Sequence, residues 1–186
     1  MPLQWMVNTY APVPLPEGCW LLADDRLKQE GALPLLRELV SRQGMDADRF
    51  ELRKHDTGKP YGVIGDRTLG VSISHCQGLL ICALNTGGEI GIDVEPDERK
   101  VHPRLLDRIC HPEEQSGLPD DLCCIRMWTI KEATLKYMGT GLRVAMNRIR
   151  LEMADGYRIM AFMDTDRIAI TSFQLREHWI AVATRP

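Results

Sequence analysis

Two segments of the chain share one pattern: an apolar strand-like run, a polar link and a second apolar run. They are residues 71–85, VSISHCQGLLICALN, and residues 169–184, AITSFQLREHWIAVAT, and their offset is close to half of the 186-residue chain. Each segment is typical of a hairpin or of two adjacent strands. We therefore predict two similar α+β halves, each too small to bury its own sheet well, packed face to face. Chance similarity between two amphipathic hairpins is the alternative.

Further strands are predicted around these hairpins. EIGIDVE, residues 89–95, alternates apolar and polar side chains strictly, which is typical of a half-buried strand. RIRLEM, YRIMAFM, RIAITSF and WIAVATR read as four strands near the carboxyl terminus. The proline-rich residues 1–20 read as an extended lead-in that can add an edge strand, and residues 58–65, with their Gly and Pro, read as a loop.

Helices are predicted in three places. A helical pattern from Asp24 to Val40 is expected to split or kink at Gly31 and Pro34. Residues 102–114 read as two short helical pieces, each beginning at a proline.

The longest predicted helix follows. Asp120 or Asp121 can cap its amino terminus, and the pattern runs through Tyr137. Gly139 and Gly141 are expected to end it.

Composition places the chain among ordinary globular proteins, with 44% hydrophobic and 26% charged residues. We expect one compact unit with residues 1–96 as the first half, residues 97–186 as the second, and the site between them. A net charge of -3 argues against nucleic-acid binding, and no apolar run reaches the roughly 18 residues that a membrane span needs. The amino terminus has no secretory-signal pattern, so a cytoplasmic protein is expected, and a monomer, since two halves can complete one site.

Cysteine usage indicates free thiols rather than a disulfide framework, because the chain is long and has no CxxC pair. Cys110 and His111, with His102 nearby, are conceivable zinc ligands, but a second closely spaced ligand pair is missing. Buried small residues are the favoured interpretation.

Asp93 and Glu95 are the first residues that suggest chemistry. On a strand of period two their carboxylates share one face, where they repel each other when both are ionised. A hard divalent cation such as Mg²⁺ compensates this charge, since it binds carboxylate and phosphate oxygens. The alternative is a solvated strand edge with two harmless acids.

Glu132 and Lys136 lie four residues apart on one helix face, with Trp128 one turn earlier. A common helical ion pair, worth about 0.3 to 0.5 kcal/mol, is the alternative. His75 follows the first strand of its hairpin, at a strand end that a ligand can approach. The alternative for His75 is a surface or locally bonded residue.

Four blocks occur in a fixed order: GKP at 58–60, SISH at 72–75, IGIDVE at 90–95 and WTIKEATLK at 128–136. This order resembles the 4'-phosphopantetheinyl transferases of the surfactin-synthetase-activating type. The resemblance implies an α+β fold of two pseudo-symmetric halves. It also implies holo-[acyl-carrier-protein] synthase activity, the transfer of 4'-phosphopantetheine from coenzyme A to a serine of an apo acyl or peptidyl carrier protein.

The resemblance implies roles for the carboxylates and one lysine. Asp93, Glu95 and Glu132 match the family's magnesium ligands, with Mn²⁺ as an alternative ion. Lys136 matches the lysine that faces the pyrophosphate of coenzyme A. Glu132 is the candidate for taking the serine proton, directly or through a water molecule.

Other residues match the coenzyme A contacts of the family. Ser74 and His75 match residues that contact its phosphates, and Lys59 and Pro60 match the loop that lines the adenine end. Arg26 corresponds to an arginine near the 3'-phosphate in a region without a sharp motif.

Three features depart from the family pattern. Ser72 stands where Asn is usual, and Cys76 stands where a small hydroxyl residue or Ala is usual. Only about 25 residues precede Arg26, whereas longer members carry a basic helix there, so we expect the 3'-phosphate to be held differently.

Residues 122–152 contain six basic and two acidic side chains within an acidic chain. Such a segment can steer an acidic carrier protein, whereas the alternative is arginines that simply face water. Two other functions remain open on the residues. One is a magnesium-dependent phosphohydrolase, and the other is a non-catalytic module that binds coenzyme A or a carrier protein.

Overall fold

The computed structural model describes residues 5–6, 14–24, 31–77, 79–100, 102–114 and 122–186. Within them the chain forms two antiparallel sheets, of six and five strands, with helices on their outer faces. The predicted α+β class and its two halves are confirmed. Arg26 lies outside the described residues.

The first sheet takes its strands from the amino-terminal half. Its strand order is β1-β2-β6-β5-β4-β3, and every neighbouring pair is antiparallel. The elements are β1 (Trp5–Met6), β2 (Cys19–Asp24), α1 (Ala32–Arg42), β3 (Glu51–Lys54), β4 (Pro60–Ile64), β5 (Arg67–Cys76) and β6 (Leu79–Asn85). The predicted edge strand in the lead-in and the predicted β5–β6 hairpin are confirmed.

The loop prediction for residues 58–65 was wrong, since β4 occupies most of this segment. Pro60 is the first residue of the strand, where a missing N–H is tolerated. Gly62 is there for close packing, because a Cβ at this position would lie 2.5 Å from the ring of Phe50. Turn-forming residues therefore serve a strand here.

Of the helix predicted from Asp24 to Val40, the structure describes α1 from Ala32 onward. Asp24 ends β2 instead, and residues 25–30 lie outside the described residues. Gly31 precedes α1 with φ 74° and ψ -175°, a backbone conformation that favours glycine, and Pro34 lies in the first turn, where no helical N–H is lost. Leu36 and Val40 are among the side chains that pack α1 on the first sheet.

The second sheet has the strand order β7-β11-β10-β9-β8. The elements of this half are β7 (Gly91–Pro96), α2 (Leu106–Ile109), α3 (Cys124–Met138), β8 (Arg150–Met153), β9 (Arg158–Met163), β10 (Asp166–Gln174) and β11 (His178–Thr184). The predicted strand at 89–95 and the four carboxyl-terminal strands are confirmed. Because β7 pairs with β11, the chain enters the second sheet at Gly91. The domain boundary after residue 96 stays a prediction.

The predicted helical segments of this half are also found. Pro103 and Pro112 each begin a 3₁₀ turn, as expected. Gly139 ends α3 in the left-handed conformation, with φ 70°. The capping prediction was wrong, because Cys123 is the N-cap of α3 and makes no side-chain capping hydrogen bond; Asp120 and Asp121 themselves lie outside the described residues. Among the described helices, none has the length and apolar character that a membrane crossing requires.

The elements stack in four layers, α1, first sheet, second sheet and α3, with apolar side chains between each pair. The apolar side chains between the two sheets join the two halves. Ile81 of the first sheet and Ile92, Val94 and Ile180 of the second are fully or almost fully buried among them. The two sheets are therefore one continuous core, as expected for halves that each bury too little alone.

Small residues on β5 lie close to β7 and to the segment that leads into it. A Cβ on Gly70 would lie 2.0 Å from the carbonyl oxygen of Gly88. Two residues further on, the backbone N–H of Ile92 donates to Ser72 Oγ at 2.9 Å. The serine at the position where the family usually has Asn therefore joins the two halves.

Candidate active site

The site begins with a close contact between β7 and α3. Gly91 lies on the same strand face as Asp93, and a Cβ on it would lie 2.1 Å from the carbonyl oxygen of Ala133 and 2.4 Å from the N atom of Tyr137. Glycine is required because the backbone of α3 occupies that space. The contact brings Glu132 and Lys136 over the carboxylates of β7.

Asp93 is the most buried of the site carboxylates, with 5% of its surface exposed. Its Oδ1 accepts hydrogen bonds from Ser74 Oγ at 2.7 Å and from Lys136 Nζ at 2.7 Å. Lys136 Nζ also donates to Ser74 Oγ at 2.9 Å. Asp93 Oδ2 is buried without a hydrogen-bond partner among the described residues. A buried carboxylate oxygen in this state is costly, which makes it a natural ligand for a cation.

Glu95 points from the same strand face and forms an ion pair with Arg99. The guanidinium of Arg99 also lies over the ring of Trp128, 5.5 Å from its centroid. Neither Arg99 nor Trp128 was assigned a role from the sequence, although Trp128 was placed on the right helix face. No periodicity marks Arg99, because it follows the strand in a turn.

Glu132 faces these two carboxylates from α3. Burial raises its pKa above the ordinary value, and the negative charges of Asp93 and Glu95 raise it further, against the lowering effects of Lys136 and Arg99. A carboxyl with a raised pKa in a cleft is a reasonable proton acceptor.

These side chains line a cleft of about 440 Å³. The lining residues are Ile73, Ser74, His75, Asp93, Glu95, Arg99, Trp128, Glu132 and Lys136. Six of the predicted site residues therefore meet at one place. The meeting point lies where β5, β7 and α3 come together, between the two halves.

The carboxylates suit a hard divalent cation by their chemistry. Asp93 Oδ2 is unpaired and buried, and Glu132 and Glu95 line the same cleft. Among the described residues, no three His, Cys, Asp or Glu side chains are already grouped closely enough to hold a metal ion by themselves. A divalent cation held here would therefore need oxygen ligands besides these carboxylates.

Lys59 and Pro60 are not among the residues that line this cleft. The side chain of Lys59 is only 8% exposed and pairs with Glu89. Its ammonium also contacts the carbonyl oxygen of Tyr137 at the end of α3 and lies 5.4 Å from the Tyr137 ring centroid. In this structure Lys59 connects the first half to α3, and a role toward coenzyme A stays a prediction.

The basic segment at 122–152 is only partly a surface feature. Arg126 is 2% exposed and donates to Gly156 and Ser172, and Lys131 is fully buried. Arg148 is exposed but paired with Asp164. Two of the six basic side chains therefore belong to the interior, a distinction that a charge count does not make.

The six cysteines are free, as expected. Cys110 is buried with its Sγ 3.7 Å from Met127 Sδ, so it packs in the core of the second half.

Comparison with known proteins identifies the family. The family profile described as the 4'-phosphopantetheinyl transferase superfamily matches residues 89–183, which is just over half of the chain. The chain belongs to the 4'-phosphopantetheinyl transferase superfamily. The matched region includes β7 and α3, and so it carries the cleft carboxylates.

Several curated members of the superfamily are similar to this chain. The 4'-phosphopantetheinyl transferase HetI of Nostoc sp. is 33% identical over 114 residues, covering 53% of this chain and 46% of HetI. A phosphopantetheinyl transferase of Thraustochytrium sp. is 24% identical over 185 residues, covering 86% of this chain and 64% of the relative. The transferase gsp of Aneurinibacillus migulanus is 24% identical over 123 residues, or 63% of this chain and 50% of gsp. The matches thus span about half to two thirds of these relatives.

Proposed function

We propose that this member of the superfamily transfers 4'-phosphopantetheine from coenzyme A to a serine of an apo carrier protein. Family membership supports the reaction class. The observation that carries the proposal is the cleft in which Asp93, Glu132 and Lys136 meet, with one buried carboxylate oxygen left unpaired. We propose Asp93, Glu95 and Glu132 as the ligands of Mg²⁺, which would neutralise pyrophosphate charge when bound.

Lys136 would stabilise negative charge on the phosphates. Asp93 and Ser74 hold its ammonium at the cleft wall, so little reorganisation is needed when substrate arrives. Ser74 and His75 would contact the phosphates from the end of β5.

Glu132 would accept the proton of the carrier serine. As the serine oxygen bonds to phosphorus, the P–O bond to adenosine 3',5'-bisphosphate breaks and that product leaves with the electron pair. The position of Glu132 in the cleft supports this role. Without a cation its pKa is raised by burial and by Asp93 and Glu95, and Mg²⁺ held by the same carboxylate would lower it.

The test is to incubate the full chain with coenzyme A, Mg²⁺ and an apo carrier protein and to weigh the carrier by mass spectrometry. A mass increase of one phosphopantetheine is expected. The variant Glu132→Gln should react about 10² to 10⁴ times more slowly. The matched control is Glu113→Gln, whose parent side chain is 71% exposed, and it should react at the parent rate.

Two results would refute the proposal. One is no mass gain with any of several fatty-acid, polyketide and peptide carriers. The other is cleavage of coenzyme A at the same rate with and without carrier, which would indicate a phosphohydrolase.

A further inference from the structure

Arg99 is held in place by the backbone around it. The backbone N–H of Arg99 donates to the carbonyl oxygen of Pro96 at 3.1 Å, which closes a turn directly after β7. Asp97, inside that turn, donates its N–H to the carbonyl oxygen of Glu177 at 2.9 Å and accepts a hydrogen bond from Gln174. The turn is therefore attached to the β10–β11 hairpin, and Arg99 is directed back toward the strand that carries the site.

The guanidinium of Arg99 has two contacts of different character. One is the ion pair with Glu95, whose side chain is 14% exposed while that of Arg99 is 42% exposed. The other is the ring of Trp128 on α3. An arginine on an aromatic face can leave an ionic partner without returning fully to solvent.

The ion pair has a consequence for charge in the cleft. Asp93 already has Lys136 as its partner, and Glu95 has Arg99. The carboxylates of Asp93 and Glu95 repel each other because they share one face of β7. The positive charge of Arg99 offsets this repulsion when no cation is bound. The same contact occupies an oxygen of Glu95 that a divalent cation would use. A cation that binds Glu95 through this oxygen has to displace Arg99.

We propose that Arg99 is a positioning residue, an internal counter-ion that holds Glu95 in the resting protein and yields it to a divalent cation while staying against Trp128. The inference rests on the proposed function in that the cation is the one required for transfer. It predicts that removing Arg99 raises cation affinity, the reverse of what damage to the cleft would do.

The experiment titrates the full chain with MnCl₂ alone, without coenzyme A, by isothermal titration calorimetry. Arg99→Gln should bind Mn²⁺ about three to five times more tightly than the parent, as expected for loss of a competing, partly exposed ion pair. Lys100→Gln is the matched control, because it removes the same charge from the next residue, which is also exposed. It should change the affinity by less than about twofold.

A cycle with Glu95 separates displacement from general electrostatics. In the Glu95→Gln background, Arg99→Gln should change Mn²⁺ affinity no more than Lys100→Gln does. Equal or weaker binding by Arg99→Gln in the parent background overturns the inference and leaves the proposed function standing. Absence of Mn²⁺ binding by both proteins overturns the inference and also counts against the metal part of the proposed function.

Discussion

Two lysines on α3, five residues apart, have opposite surroundings. Lys131 is fully buried, and its ammonium donates to Glu114 Oε2 at 2.6 Å and to the carbonyl oxygens of Ile109 and Ile149 at 2.6 and 2.7 Å. Lys136 is 29% exposed and borders the cleft, where it shares Asp93 with Ser74. Both lysines belong to the same sequence block.

The carboxylate partners of the two lysines, Glu114 and Asp93, differ in how many of their oxygens accept hydrogen bonds. Glu114 accepts from Lys131 and also from the backbone N–H groups of His111 and Leu151, each at 2.8 Å. It thereby joins the segment before α3 and the edge strand β8 to the helix. Asp93, by contrast, keeps one buried oxygen unpaired.

Structural charges and charges that are open to a ligand therefore differ in whether all of their polar atoms are paired. A buried network in which both partners are satisfied has no capacity for a ligand and stabilises one arrangement. A network that leaves an oxygen unpaired beside a cleft is incomplete until something binds. Lys131 and Glu114 thus hold α3 in place, whereas Asp93 and Lys136 border the cleft, where we propose that they act on a substrate.

The largest expected loss of stability follows from breaking the buried Lys131–Glu114 network. Lys131→Met should lower the free energy of unfolding by about 3 to 5 kcal/mol, because it leaves the buried Glu114 charge without its partner. Denaturant titration followed by circular dichroism measures it. Lys136→Met, at the incomplete site, should cost far less stability, and equal losses for the two variants would contradict the comparison.

A smaller loss of stability is expected from a change at the contact between Gly91 and α3. Gly91→Ala should cost about 1 to 3 kcal/mol of stability, since the new Cβ meets the backbone of α3 rather than a flexible side chain. Transfer activity should fall with it because Glu132 shifts relative to Asp93. Gly156→Ala is the control, as a Cβ there meets nothing within 4 Å. If Gly91→Ala and Gly156→Ala have the same free energy of unfolding, the close contact at Gly91 is not what positions α3.

Binding of the proposed Mg²⁺ at Asp93, Glu95 and Glu132 should stabilise the folded protein. With free Mg²⁺ at ten times its dissociation constant, the protein should gain about 1.4 kcal/mol, seen as a higher melting temperature. Asp93→Asn should abolish this gain. Persistence of the full gain in Asp93→Asn would place the ion elsewhere.

The smallest effect concerns two thiols, one beside each network. Burial raises the pKa of Cys76 to about 11, with further contributions from Glu95 and Asp93, and burial also raises the pKa of Cys110, beside Lys131 and Glu114. A cation near Glu95 and Asp93 would lower the Cys76 pKa, so more thiolate is present at pH 8 and alkylation by iodoacetamide speeds up. Peptide mapping should show about a twofold increase or more at Cys76 and none at Cys110 on adding Mg²⁺. The same increase at both thiols would contradict a local charge effect.

Much of the fold followed from local patterns. The strict alternation of residues 89–95 and the hairpin at residues 71–85 appear as β7 and the β5–β6 pair. The segment at 58–65 was misread, because Gly62 makes room for Phe50 rather than a turn, and a glycine looks the same in both situations.

The sequence also predicted some, but not all, of the residues that border the cleft. The order of the blocks named Asp93, Glu132 and Lys136 correctly as neighbours of one cleft. Arg99 was missed because its contacts depend on a turn and on a helix about thirty residues away, and Lys131 was counted as surface charge because its burial depends on the loop that ends at Glu114.

By itself the sequence determined the kind of element at most positions, the shared face of Asp93 and Glu95, and the family to which the chain belongs. Periodicity records which side of an element is apolar, and motif order records ancestry. Tertiary packing places α3 against Gly91, buries Lys131 while Lys136 borders the cleft, and leaves Asp93 with an unpaired oxygen. These features depend on which distant elements pack together, and burial is a property of that packing rather than of any one residue.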